Sequence, residues 1–300
     1  MKSTLILSAL FACGVVCHGQ VFSLTREQMI ELTPNNPFDR FPDGRPKVPD
    51  DLLKKFEDIS AEEIWAVLPG KHYPNQYEGH FQILHPDKRL IGRAVTAQFM
   101  PTRPEIAEVG EKNARAAGVR NTHQRVIDML QQNDVAVFDV FGKEEGGTVT
   151  GDNLATAIWT ATKRGFVVDG SIRDLDGIFE IPMGLYYRHV HPTPISGVTV
   201  TGVNIPVRIG EATVLPGDVV FGDREGVYFV PPALVKEVLN RAEVTHIHDE
   251  WTKMKFDTGK YKSSEIYPRP HDPALQKEYR EFLEKRMKEK GLTPPPPTER

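Results

Sequence analysis

The stretch that most constrains this chain is residues 151–177, GDNLATAIWTATKRGFVVDGSIRDLDG. Asp152 opens a helix-like run that reaches Arg164 and Gly165. About twelve residues at 1.5 Å each carry the chain about 18 Å from its starting point. Gly165 then turns it, and Phe166-Val167-Val168-Asp169-Gly170 returns as a strand. A strand rises about 3.3 Å per residue, so five or six residues recover most of that distance. Arg173 and Asp174 should therefore arrive beside Asp152, at the start of the helix. Two carboxylates and a guanidinium would meet there.

The rest of the central body continues the alternation. Strand-like runs rich in β-branched and aromatic residues lie at 91–99, 135–140, 166–169, 198–203, 219–221 and 227–230. Helix-like runs lie at 105–117, 123–130, 153–163 and 232 to about 250. The pattern predicts an α/β fold with a mixed sheet. Ahead of it, residues 50–56 suggest a helix, and Ser60 with Glu63 forms a capping box for another that stops at Pro69. Residues 20–47 read as an irregular arm, because Pro34, Pro37, Pro42 and Pro46 with Asn35, Asn36 and Gly44 interrupt regular structure. Residues 48–257 are the expected domain. The tail, 258–300, carries a Lys- and Glu-dense amphipathic helix over 274–290 and an extended end at Pro294 to Pro297.

Composition sets limits. Of 300 residues 39% are hydrophobic and 26% charged, a globular balance. The net charge of -4 gives no bulk electrostatic reason to expect nucleic acid as partner. Lys2 followed by the apolar run 5–17 reads as a secretory signal, too short to span a bilayer, with cleavage after Gly19. Lipid attachment at Cys13 is a poorer match. Both cysteines, Cys13 and Cys17, sit in that segment, so the processed chain would have no thiol, Cys metal site or disulfide. Export to the periplasm or beyond, without stable membrane association, is the expectation.

The cluster at 152 and 173–174 has chemical uses. A helix N-terminus offers free amides and a positive dipole end, so Asn153 and Leu154 could hold a substrate carboxylate. Asp174, with water, could hold a hard divalent ion. Arg173 could stabilise an oxyanion or enolate, and Asp152 could move a proton. Each residue also has a plainer reading. Asp152 could simply cap the helix, and an Arg-Asp pair is commonly a surface ion pair. Asp169, Asp176 and Asp223 read as turn residues.

Several stretches in the right order resemble the RraA-like family, which includes the 4-hydroxy-4-methyl-2-oxoglutarate/4-carboxy-4-hydroxy-2-oxoadipate aldolases. Aldolase members carry an Asp, twenty residues, then Arg-Asp. Here these are Asp152, the residues 153–172, and Arg173-Asp174. The runs at 90–96, 151–157, 168–174, 203–207, 216–223 and 226–227 are also similar to family segments, and the likeness covers roughly residues 55–245.

The resemblance implies a swivelling β/β/α sandwich assembled as a homotrimer or hexamer. It implies Mg2+ or Mn2+ at Asp174, held largely through water. Asp152 and Arg173 would be catalytic, and Gly151, Asn153, Leu154 and Arg173 would bind a small 2-oxo acid. The implied reaction is cleavage of a 4-hydroxy-2-oxo acid to pyruvate and a carbonyl product through an enolate, with oxaloacetate decarboxylation as companion activity. Three features depart from typical members: the signal, the added arm and tail, and the segment Tyr186-Tyr187-Arg188-His189-Val190-His191-Pro192. In a strand, His189 and His191 would point to one face and could shape the pocket or bind a metal, with packing and hydrogen bonding the commoner outcome. His246 and His248 read as structural. The alternatives are a non-catalytic regulator of the RraA kind and a lyase for a sugar-derived oxo acid.

Overall fold

The computed structural model describes residues 23–116 and 118–292. The signal-like segment with both cysteines, the Ala117 end of one predicted helix and Pro294 to Pro297 lie outside those residues. The described chain begins α1 (Arg26–Leu32), α2 (Asp50–Lys55), α3 (Ala61–Trp65), β1 (Tyr77–Glu78), β2 (Gln82–Ile83), β3 (Leu90–Pro101), α4 (Pro104–Ala116), α5 (Gln124–Ile127) and β4 (Asp134–Asp139). It continues β5 (Thr148–Thr150), α6 (Asp152–Thr162), β6 (Gly165–Ile172), α7 (Leu175–Phe179), β7 (Gly184–Val190), β8 (Val198–Val203), β9 (Val207–Ile209) and β10 (Ala212–Val214). It ends β11 (Val219–Gly222), β12 (Val227–Val230), α8 (Val235–Asp257), α9 (Ser263–Ile266) and α10 (Pro273–Glu289).

One mixed sheet runs β1-β12-β11-β3-β4-β6-β7-β2, with β5 against β6 and β8 against β3. Its centre, β3-β4-β6-β7, is parallel, and β11, β12 and β8 are antiparallel additions. Side chains alternate across a strand, and here both faces are covered. Ala136, Phe138, Phe166 and Val168 face one core with Ala155 and Ile158 of α6. Val135, Val137 and Val167 face the other, beneath the β9–β10 hairpin. A third cluster lies where α2, α3 and α8 cover Ile91, Phe221 and Val230. This is the expected mixed-sheet α/β sandwich.

Four expectations need correction. The arm is not wholly irregular. Thr25 and Gln28 form a capping box that starts α1 ahead of the prolines. The arm also lies on its own body, where Arg45 clasps Asp134 through Nη1–Oδ1 at 2.8 Å and Nη2–Oδ2 at 3.2 Å. Residues 184–190, not expected among the strands, form β7. Arg and His there obscure a run whose Leu185, Tyr186 and Tyr187 are buried. The helix expected at 123–130 shrinks to α5, while α8 extends to Asp257. The extension holds the tail, as α10 packs back on α8 through Trp251 and Tyr279, whose rings lie 5.1 Å apart. Lys255 Nζ adds a hydrogen bond to Glu278 Oε2 at 2.7 Å.

Candidate active site

The unit β5–α6–β6 brings the site together. β5 and β6 are parallel neighbours, with Thr150 in register with Ile172. The residues that follow them must therefore emerge side by side. Arg173 N donates to Thr150 O at 3.1 Å and fixes that juxtaposition. Ligands in open α/β sheets commonly sit beyond such carboxyl ends.

Gly151 caps α6 in an extended conformation, φ -113° and ψ -169°. Its lack of a side chain is required by a close approach: a Cβ there would collide with Asp174 Oδ2 and come within 3.2 Å of Arg173 Nε. Asp152 is thus the first helical residue rather than the cap. Its Oδ1 accepts from Asn153 N at 2.7 Å, so one of the two amides expected to hold a substrate carboxylate already has a partner. Leu154 N belongs to the first turn, where amides lack a carbonyl four residues earlier. On its other side Asp152 is approached by Gly177, where a Cβ would stand 2.9 Å from Asp152 Cβ.

Asp174 has a left-handed backbone, φ 57° and ψ 43°. That conformation costs an ordinary L-residue on the order of 1 kcal/mol, less for aspartate. Although Asp174 precedes α7, its carboxylate makes no capping bond. Oδ2 lies 3.4 Å from Arg173 Nε, and the two side chains are 48% and 39% exposed. Arg173 and Asp174 thus form a loose, partly exposed ion pair. The predicted cluster of Asp152, Arg173 and Asp174 is brought together as the helix-and-strand geometry requires.

Among the described residues no group of three or more His, Cys, Asp and Glu side chains converges on a point. The donor chemistry that is present suits magnesium or manganese rather than zinc. Magnesium takes one or two carboxylates and keeps several waters, and Asp174 offers a half-exposed carboxylate without a capping duty.

The histidines divide. β7 ends at Val190, so His189 lies within it, opposite Ser171, while His191 lies just beyond. His191 N donates to Ile172 O at 3.0 Å, and its ring Nδ1 shares a 2.9 Å hydrogen bond with Thr193 Oγ1. His246 meets Glu63 at 2.8 Å, and His248 stacks edge-on against Tyr279.

Asp169 is not a turn residue. It is buried in β6, where Oδ1 accepts from Arg188 Nε at 2.8 Å and Oδ2 from Gly210 N at 2.9 Å. Arg188 Nη1 also donates to Glu78 Oε1 at 3.2 Å, and its guanidinium lies over Phe81. Nearby Asp139 has its carboxyl pushed up by burial, with the charge of Asp169 adding to the effect. Spacing alone gave no signal for this network, because Asp169, Arg188, Glu78 and Gly210 come from β6, β7, β1 and the β9–β10 turn. Asp176 lies in the first turn of α7, and Asp223 does serve its turn by accepting from Glu225 N at 2.9 Å.

Comparison with known proteins shows the family and the fold. Residues 68–229, more than half of the chain, match the RraA-like family described as Aldolase/RraA. A protein of Azotobacter vinelandii provisionally named 4-hydroxy-4-methyl-2-oxoglutarate aldolase is 32% identical over 47% of this chain and 96% of its own length. The 4-hydroxy-4-methyl-2-oxoglutarate aldolase of Thermus thermophilus is 31% identical over 27% of this chain and 49% of its own length. The chain spans about half the length of several curated relatives it matches, for example 55% of one from Halalkalibacterium halodurans. Among solved structures, Streptomyces coelicolor RraAS2, an unusual member of the RNase ES inhibitor RraA family, superposes with a TM-score of 0.57 at 22% identity, covering 73% of this chain and 99% of that one. That likeness concerns the fold.

Proposed function

The chain belongs to the RraA-like family, and from that premise we propose that it is a divalent-metal-dependent carbon–carbon lyase for a 4-hydroxy-2-oxo acid. The observation that carries the reading is the convergence of Asp152, Arg173 and Asp174 around Gly151 at the carboxyl ends of β5 and β6.

In this reading the first turn of α6, chiefly the Leu154 amide, binds the substrate's C1 carboxylate beside Gly151. Asn153 N joins it if Asp152 turns away. Arg173 points its guanidinium at the 2-oxo oxygen, where negative charge grows as the C3–C4 bond breaks. Asp152, through a water, accepts the proton of the 4-hydroxyl as the C4 carbonyl forms. That proton then returns to C3 and pyruvate is complete. Asp174 and surrounding water would hold magnesium or manganese, which supplies positive charge next to the developing enolate oxygen. Oxaloacetate decarboxylation would use the same residues, with carbon dioxide leaving in place of the carbonyl product. Export and assembly into a homotrimer or hexamer are part of the proposal, checked by fractionation and by light scattering.

The experiment follows pyruvate release by residues 20–300 from 4-hydroxy-4-methyl-2-oxoglutarate and from oxaloacetate, with magnesium, with manganese and with chelator. Pyruvate that depends on metal supports the lyase. A folded, metal-supplied protein that releases none from either compound overturns it, and a sugar-derived oxo acid or a regulatory partner becomes the next target.

A further inference from the structure

The N-terminal arm builds a second concavity, away from the strand ends that carry the candidate active site. Asp218 directly precedes β11, and its backbone oxygen accepts from Ala94 N at 2.8 Å. Arg93, next to Ala94, is in register with Asp134 at the amino-terminal end of β4. Asp152, Arg173 and Asp174 lie at the opposite, carboxyl ends. Around Asp218 is a cavity of about 250 Å³, walled by the arm on one side and by the segments flanking β10, β11 and β12 on the other. The arm lies outside residues 68–229, so family membership does not supply this cavity.

Its lining has a consistent chemistry. Leu32, Pro34, Leu215, Pro231 and Pro232 give apolar walls, and among the described residues no Lys, Arg or His lines it. Of its polar side chains, Thr33 and Asn36 spend donors on Met29 O and Phe38 O, each at 2.7 Å, Asn35 and Thr213 are exposed, and the buried Gln76 and Asp218 present acceptors. Gln76, only 8% exposed, donates its Nε2 to Phe229 O at 2.8 Å, which leaves Oε1 to accept. Asp218 is 3% exposed, and its one side-chain partner among the described residues is Leu215 N, which donates to Oδ2 at 2.8 Å. Its other oxygen is left to accept. Burial without a compensating cation pushes this carboxyl up to about 7. A buried carboxyl in such surroundings gains most from a charged donor. At the rim, Tyr73 is 37% exposed and offers an aromatic face to a cation.

We propose that this cavity is a binding site for a small primary amine, held as its ammonium ion. The ammonium has three donors and no acceptor, which complements Asp218, Gln76 and the ring of Tyr73. The alkyl part would rest on the proline and leucine walls. Carboxylic acids would be rejected, because a second anion beside Asp218 has no positive group to meet. The site is independent of the lyase reading, and its test does not use pyruvate release.

The test is calorimetric titration of residues 20–300 at pH 8 with n-butylamine, n-butanol and butyrate as probes. The expected result is saturable binding of n-butylamine at least tenfold tighter than n-butanol, with none for butyrate. Asp218→Asn should weaken n-butylamine at least tenfold. Leu32→Trp, at an exposed rim position, should block it. If Asp218→Asn does not fold, Gln76→Leu takes its place with the same expectation. Equal binding of n-butylamine and n-butanol, undiminished binding in the folded variants, or no saturable binding would each overturn the proposal.

Discussion

Strand β6 carries one aspartate inside it and leads to another just past its end, and the two are treated in opposite ways. Asp169 is buried, and both of its oxygens have protein donors, from Arg188 and Gly210. Asp174 is half exposed, makes no capping bond, and meets Arg173 only at 3.4 Å. Each acid has an arginine, yet Arg188 is shared with Glu78 beneath a ring of Phe81, while Arg173 makes only the loose 3.4 Å pair and is 39% exposed. A charge that serves the fold has its hydrogen bonds completed by protein, since an unpaired buried charge is costly. A charge available to a ligand has them left open. The difference separates the structural network from the candidate site without reference to any relative.

The sharpest way to break this comparison is at the buried side. Arg188→Ala leaves Asp169 and Glu78 uncompensated and should cost about 3–5 kcal/mol of stability, read as a fall in chemical-denaturation midpoint. A loss within that of a surface substitution would place Arg188 outside the structural network. At the open side, Arg173→Met should lower kcat about 10²–10³-fold, about 2.7–4 kcal/mol of barrier, with little change in melting temperature. Gly151→Ala tests the close approach directly. Its Cβ would displace the Asp174 carboxylate, so pyruvate release should fall on the order of tenfold or more, a loss of about 1.4 kcal/mol per factor of ten.

A third acid extends the contrast to pH. The buried Asp218 carboxyl is pushed up to about 7 from an ordinary value of 3.8. The folded state therefore holds this proton across a range where the unfolded chain has released it. The stabilisation is complete below the unfolded value and is lost as pH rises through the folded one. The contribution of Asp218 to the melting temperature, read as the difference from Asp218→Asn, should decline between about pH 4 and 7. Differential scanning calorimetry of both proteins across that range measures it. The smallest expected effect is at a cap: Ser60→Ala removes the bond from Glu63 N and should cost about 1 kcal/mol.

What the sequence made legible follows the same division. Long β-branched and aromatic runs announced β3, β4, β6, β8, β11 and β12, because strands buried on both faces have little room for polar residues. The spacing of Asp152 from Arg173 and Asp174 was legible because one local β–α–β unit sets it. β7 was hidden by its polar residues, of which Arg188 and Tyr186 find their partners, Asp169 and Asp223 O, only after folding. Asp169 looked like a turn residue because its partners, Arg188 and Gly210, are distant in sequence. α1 was masked by the prolines and asparagines after it, although its Thr25 and Gln28 capping signal was present. The cavity around Asp218 has no sequence signature, since arm and body meet there only in three dimensions.

The most direct test of the central claim pairs two readings on Asp174→Asn, an isosteric change at the half-exposed carboxylate. Pyruvate release with saturating magnesium and the melting temperature are measured on the same preparation. The account predicts that pyruvate release falls at least a hundredfold while melting shifts by no more than a degree or two. Near-normal release with the same fold, or a collapse of stability that accompanies the loss, would contradict it.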